Sequence, residues 1–418
     1  MPFSRWISFV LLAVACVPIS AMTAIAADAP AKSPPAKDAA VATTAASQLS
    51  DKELFKQWGE LIARRDAMLA DAMKIQQAFR AAKPQEQAEM YAKLEKMQAE
   101  FGNTIQPNVF RLAPEVYKRK PADMDAAGVV VGLLMEKNKY NDVIKLVDPM
   151  IANPKFSDPM ILNLAGNAHF AVYDFDKAHT ILERAKKIAP DSVTPMSEAF
   201  LENCVIYADL WKREQAIRAD EAKADDLPRV QFKTTKGIIV LELFENEAPN
   251  TVANFISLVE AKKYDGTKFH RVIPGFMAQG GDPNSLDADP ANDGQGGPGY
   301  HIDCECYADN ARKHFQCSLS MAHAGKDTGG SQFFLTHLPT PHLNSSTEPQ
   351  ERGHTVFGRI IKGLDVALSL EIGDKIETAT VLRKRDHAYK PVTTDAPGKI
   401  SFPPVKKRTG KAPPANGT

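Results

Sequence analysis

Arg271, Gln279 and the apolar residues between them sit in the run 269–282 (FHRVIPGFMAQGGD), and their types and spacing point toward chemistry. A guanidinium stays charged at any working pH and donates hydrogen bonds in a rigid fork. Gln279, eight residues on, adds an amide, and Phe276 and Met277 add apolar surface. Two more runs mix small, polar and aromatic side chains: 318–334 (SLSMAHAGKDTGGSQFF) and 354–359 (HTVFGR). Seven of the ten histidines fall from His270 to His354, which raises the question of a metal. No pair of them has the four-residue helical spacing of a zinc protease. Of the five cysteines, Cys304-Glu305-Cys306 lacks the spacing of a zinc ribbon. Three readings stay open for Cys204, Cys304, Cys306 and Cys317: half-buried thiols, a disulfide from Cys317 to Cys304 or Cys306, or a metal site. No long glycine-rich phosphate loop is present. Lys plus Arg and Asp plus Glu both total 51, and this zero net charge argues against a general nucleic-acid binder.

The three runs, in their order and approximate spacing, resemble the signature blocks of the cyclophilins, and the resemblance covers about 160 of the 418 residues. It implies a peptidyl-prolyl cis-trans isomerase domain over residues 229–390, folded as a closed eight-stranded antiparallel β-barrel with two helices. It assigns Arg271 as the catalytic cation, with Gln279 holding substrate and orienting the arginine. Phe276, Met277, Phe334 and Leu343 would form the proline pocket, with His354 at its edge and His270 and His342 beside it. Ala322, His323, Ala324 and Gln332 would line the groove for the substrate backbone. The chemistry is consistent with these residue types. Twisting an X–Pro amide breaks resonance across a barrier of roughly 20 kcal/mol. It needs no nucleophile, cofactor or metal, only a site that favours the twisted amide over the planar one. A fixed cation donating to the pyramidal imide nitrogen does this while an apolar pocket holds the ring. Paired glycines at 280–281 and 329–330 serve tight turns or close backbone approach.

Three positions depart from the family. His323 stands where an asparagine is common, and His342 where many relatives carry an aromatic residue, often tryptophan. The connection 344–353 (NSSTEPQERG) is longer than usual. These changes leave open an alternative in which the domain binds proline peptides, or serves as an assembly protein, without catalysis.

The elements that would carry these residues start with an opening hairpin, 231–235 and 237–244, and an amphipathic helix over 249–262 with Val252, Phe255, Ile256 and Val259 inward. Upstream, helical spacing dominates residues 50–226. Ser50 to Glu53 forms a capping box. Met90, Leu94, Met97 and Phe101 share one face of a helix that Gly102 is expected to stop. Two units of about 35 residues end at Pro154 and Pro190, and the second resembles a tetratricopeptide repeat, with Gly166 at the close approach of its two helices. A third helical pair over 195–224 would cap the stack, and the charged run 218–226 would end the domain.

Residues 1–26 read as a signal peptide, with Arg5, an apolar run 6–17 and Ala24-Ile25-Ala26 as the cleavage motif. An uncleaved anchor, or lipidation at Cys16, would instead tether the chain to a membrane. Residues 27–49 read as a disordered tether and 391–418 as a disordered tail. The expected whole is a secreted, periplasmic or extracellular multi-domain protein. It would isomerise proline-containing polypeptide clients, with a partner recruited through the helical repeats.

Overall fold

The computed structural model describes residues 46–79, 81–345 and 352–395. The signal segment, most of the tether, residues 346–351 of the long connection and the tail from 396 on lie outside the described residues. The chain divides into two units after Val205.

The first unit is helical. Helix α1 (Asp51–Phe79), α2 (Pro84–Glu100) and α3 (Gln106–Arg119) bury Leu54, Trp58, Leu69, Leu94, Val109 and Leu112 in one cluster. One half of the capping box is present: Ser50 Oγ accepts from the Glu53 N–H at 3.3 Å. Gly102 does not stop the helix. A π-helical turn, Phe101–Ile105, carries α2 straight into α3, and the added residue keeps both Phe101 and Ile105 buried. The last residues of the anticipated tether are also ordered, because Arg119 donates to the carbonyls of Ser47 at 3.1 Å and Leu49 at 2.8 Å.

Two helical hairpins follow, α4 (Met124–Glu136) with α5 (Tyr140–Ile151) and α6 (Pro159–Ala171) with α7 (Phe175–Ile188). Gly166 sits against Leu182, where a Cβ would lie 2.5 Å from the leucine side chain. Ala178, Leu182 and Ala185 are buried along α7. The anticipated third pair is instead one helix, α8 (Pro195–Ala224), since neither Gly nor Pro interrupts the stretch after Pro195. Most of its charged end, 218–226, is exposed, but Glu221 there and Glu214 before it are buried against Arg312 within the second unit. Among the described residues no helix is long and apolar enough to cross a membrane.

The second unit holds β1 (Arg229–Thr234), β2 (Gly237–Leu243), α9 (Pro249–Glu260), β3 (Arg271–Ile273), β4 (Met277–Gly280) and β5 (Tyr300–His301). After these come β6 (Ser318–Met321), β7 (Phe333–Thr336), β8 (Val356–Lys362), α10 (Leu364–Leu368), β9 (Ile376–Arg383) and β10 (Thr394–Asp395). Eight strands form one antiparallel sheet in the order β3-β4-β7-β6-β8-β2-β1-β9. It curls around a core of Phe232, Phe255, Phe269, Phe333 and Phe357, against which α9 lays Val252, Ile256 and Val259. The sheet is open, not the closed barrel expected. Strand β3 has only three residues and makes no ladder with β9. A single bridge, Lys268↔Lys375, and bonds such as Phe269 N–H to Asp374 O at 2.8 Å span that seam. The first residues of the anticipated tail, 391–395, are ordered. Thr394 and Asp395 pair with His301 and Tyr300, and Val392 exchanges two hydrogen bonds with the Asn250 side chain.

Candidate active site

The β3–β4 hairpin carries the candidate catalytic pair. The Phe276 N–H bonds back to Ile273 O at 3.0 Å, with Pro274 and Gly275 between them and Gly275 at φ 67°. Proline then a left-handed glycine is the pattern of a type II turn, and it sets the register. Arg271 falls directly opposite Gln279. Alternation along β4 sends Ala278 into the core and leaves Met277 and Gln279 on the other face. On the neighbouring β7, Phe333 and Leu335 are core residues, while Phe334, opposite Gln279, faces the same way as that glutamine.

A cavity of about 610 Å³ opens on this face. It is lined by Arg271, Phe276, Met277, Gln279, Ala322, His323, Ala324, Gln332, Phe334, Leu343 and His354. Two anticipated residues are not on its wall. His270, adjacent to Arg271 on the strand, points away and lies near the Asp282–Asp293 loop, because successive side chains alternate faces. His342 is exposed, its ring 5.4 Å from that of Phe276.

The polar side of the cavity is directional. An arginine can only donate, so Arg271 Nη1, 3.4 Å from Gln279 Oε1, fixes that oxygen toward itself. Gln279 Nε2 then donates to Gln332 Oε1 at 3.0 Å, and Gln332 Nε2 donates to the carbonyl of Gly296 at 2.8 Å. The arm 294–301, including the run GQGGPGY, forms a wall of the cavity that sequence reading missed. Its glycine density was the available signal. The carboxylate of Asp282, fully buried, accepts from the N–H groups of Asn284, Gly294 and Gly296 and so ties this arm down. Gly281, at φ 81°, has no room for a Cβ, which would lie 2.5 Å from Ser331 O.

The apolar end is built from rings. His354 lies edge-on to Phe334 at 5.3 Å and stacks on His323 at 4.1 Å. Its Nδ1 faces the carbonyl of Met321 at 2.9 Å, so that nitrogen carries the proton. Burial, then the neighbouring His323, pushes His354 down to about 4, and its ring is neutral at pH 7. His323 Nε2 donates to Gly353 O at 2.7 Å, the role this histidine plays where an asparagine was expected.

All four described cysteines are free thiols, so the disulfide reading for Cys317 is not met. Cys317 is buried, and Cys304 shares a hydrogen bond with Cys306. Among the described residues no group of three or more His, Cys, Asp or Glu side chains could hold a metal.

Residues 229–390 match the family of cyclophilin type peptidyl-prolyl cis-trans isomerases. A peptidyl-prolyl cis-trans isomerase of Synechococcus elongatus is 48% identical over 153 residues, which are 36% of this chain and 94% of the relative. Peptidyl-prolyl cis-trans isomerase B of Bacillus subtilis is 49% identical over 143 residues, 34% of this chain and 90% of the relative. A crystal structure of a Cryptosporidium parvum cyclophilin type isomerase aligns at 29% identity, covering 38% of this chain and 99% of that one, with a TM-score of 0.32. Through its second unit the chain belongs to the cyclophilin-type peptidyl-prolyl cis-trans isomerases, a family of enzymes.

Proposed function

We propose that the second unit isomerises X–Pro bonds in exported polypeptides, with Arg271 donating to the imide nitrogen as the amide twists. The observation that carries this reading is the directional chain from Arg271 through Gln279 and Gln332 to Gly296 at the mouth of the cavity. It holds the glutamine amides so that the guanidinium is aimed before substrate arrives, and preorganised donors of this kind act where charge develops. Phe276, Met277, Phe334 and Leu343 supply an apolar seat for the proline ring. The substrate backbone would run along Ala322, His323 and Ala324 beside Gln332. None of these roles calls for a metal or cofactor.

Export rests on residues 1–26, with their apolar run and small-residue cleavage motif. The helical unit, whose paired helices and Gly166 contact are consistent with a tetratricopeptide-like repeat, would recruit clients or a partner. The test is a proline isomerisation assay of the full chain against Arg271→Ala. A loss of about a hundredfold in kcat/KM is expected, and equal rates would overturn the mechanism. N-terminal sequencing of the mature protein tests export: a start at Ala27 or Asp28 is expected, and an intact Met1 would refute cleavage.

A further inference from the structure

We infer that Tyr207 is a positioning residue for the isomerase pocket, acting through Asn344 and His314 on its two walls. Tyr207 lies upstream of the matched residues 229–390, in the part of α8 that belongs to the second unit. The inference rests on the pocket assignment proposed above.

The hydrogen bonds around it run in one direction. The backbone N–H of His314 can only donate, and it meets Asn344 Oδ1 at 2.9 Å. That fixes the amide, so Asn344 Nδ2 donates to the Tyr207 hydroxyl oxygen at 2.7 Å. The hydroxyl proton is then left for the carbonyl of His314, 3.3 Å away. The ring of three bonds closes on a tyrosine that is 1% exposed.

Each partner leads to the cavity. Asn344 follows Leu343, which lines the pocket and whose carbonyl accepts the N–H of His354 at 3.0 Å. Holding Asn344 therefore holds the peptide that carries one wall and receives the other. The His314 ring, with Nδ1 also 2.9 Å from Asn344 Oδ1, is stacked on Phe334 with centroids 5.9 Å apart and planes 6° apart. Burial pushes this imidazole down to about 3, so it stays neutral, with the proton on Nδ1. The helix itself is pinned: Arg312, two residues before His314, bonds Glu214 at 2.7 and 2.9 Å and Glu221 at 2.5 Å. Tyr207 thus presents its hydroxyl from a fixed element.

The experiment compares full-length wild type, Tyr207→Phe, Asn344→Ser, Trp211→Leu and Arg271→Ala by steady-state isomerisation of an X–Pro peptide and by thermal unfolding. Trp211 packs on Phe315, as Tyr207 does, but has no part in the bonded ring, so its loss controls for stability alone. Tyr207→Phe should raise KM about three- to tenfold with kcat within twofold, the size of one buried hydrogen bond. Asn344→Ser should do the same, and the double variant should add little to either. Trp211→Leu should lower the melting temperature at least as far and leave KM alone. An unchanged KM in Tyr207→Phe, or a KM that moves equally in Trp211→Leu, overturns the inference. If Tyr207→Phe does not fold, Asn344→Ser decides by the same criterion. Wild-type kcat in Arg271→Ala with the Tyr207 effect intact would sink the mechanism and spare the positioning role.

Discussion

Arg271 and Gln279 face each other across the β3–β4 hairpin, and the arginine donates to the glutamine oxygen at 3.4 Å. The distance is long for a charged hydrogen bond, so the pair aims the guanidinium more than it consumes its donors. Two substitutions separate these effects. Arg271→Lys keeps the charge but not the fork and should fall nearly as far as Arg271→Ala, about a hundredfold in kcat/KM. Gln279→Ala keeps the guanidinium and loses only its guide, for a loss of about three- to tenfold. Rates for Arg271→Lys close to wild type would show that charge alone suffices.

The buried histidines make stability depend on pH. Burial pushes His314 down to about 3, and His337 and His354 to about 4, against an ordinary value near 6.5. Between these limits the unfolded chain binds protons that the folded chain refuses. Stability is therefore full above about pH 6.5 and is lost as pH falls toward 4, at up to about 1.4 kcal/mol per pH unit for each histidine. Urea unfolding at pH 7, 6 and 5 should show a falling midpoint. His337→Gln should flatten the curve by about one histidine, and a midpoint independent of pH would contradict the burial of these rings.

Signals local in sequence were legible before the structure. The apolar face of α9 and the Gly166 approach depend on neighbours a few residues apart, and each sits as its spacing implied, while the three motif runs each bring residues to one cavity. Alternation along β3 and β4 would also have separated His270 from Arg271, had the strands been drawn as far as the turn at Pro274 and Gly275. What was not legible depends on partners far apart in the chain. Glu214 and Arg312 are 98 residues apart, and Tyr207 and Asn344 are 137 apart. The charged run 218–226 read as the end of a domain, and nothing local in it shows that Glu221 is buried against Arg312, 91 residues on. The open seam between β3 and β9 likewise depends on how far each strand extends, which residue preference does not decide.

The buried ion cluster gives the last prediction. Arg312, 5% exposed, bonds Glu214 and Glu221, and Glu221 in turn accepts from Arg359 at 2.7 Å. Arg312 also lies over the Phe244 ring, 3.9 Å from its centroid. Burial alone would raise Glu214, but the Arg312 bonds hold it below the usual carboxylate range. Arg312→Ala would leave Glu214 with Arg218 and Glu221 with Arg359, and would take the Arg312 contact at 3.3 Å from Glu247. Three buried or half-buried carboxylates would then be short of donors, so a loss of about 3–5 kcal/mol is expected in urea unfolding. Removing Arg312 together with Glu214 and Glu221 is a different case, since well-packed apolar replacements of buried ion pairs are often neutral and the remaining Arg359 keeps its bond to Glu242. The triple variant Arg312→Met, Glu214→Leu, Glu221→Leu should therefore recover most of what Arg312→Ala loses. A triple variant as unstable as Arg312→Ala would mean that the cluster contributes net stability, and that its charges do more than satisfy one another.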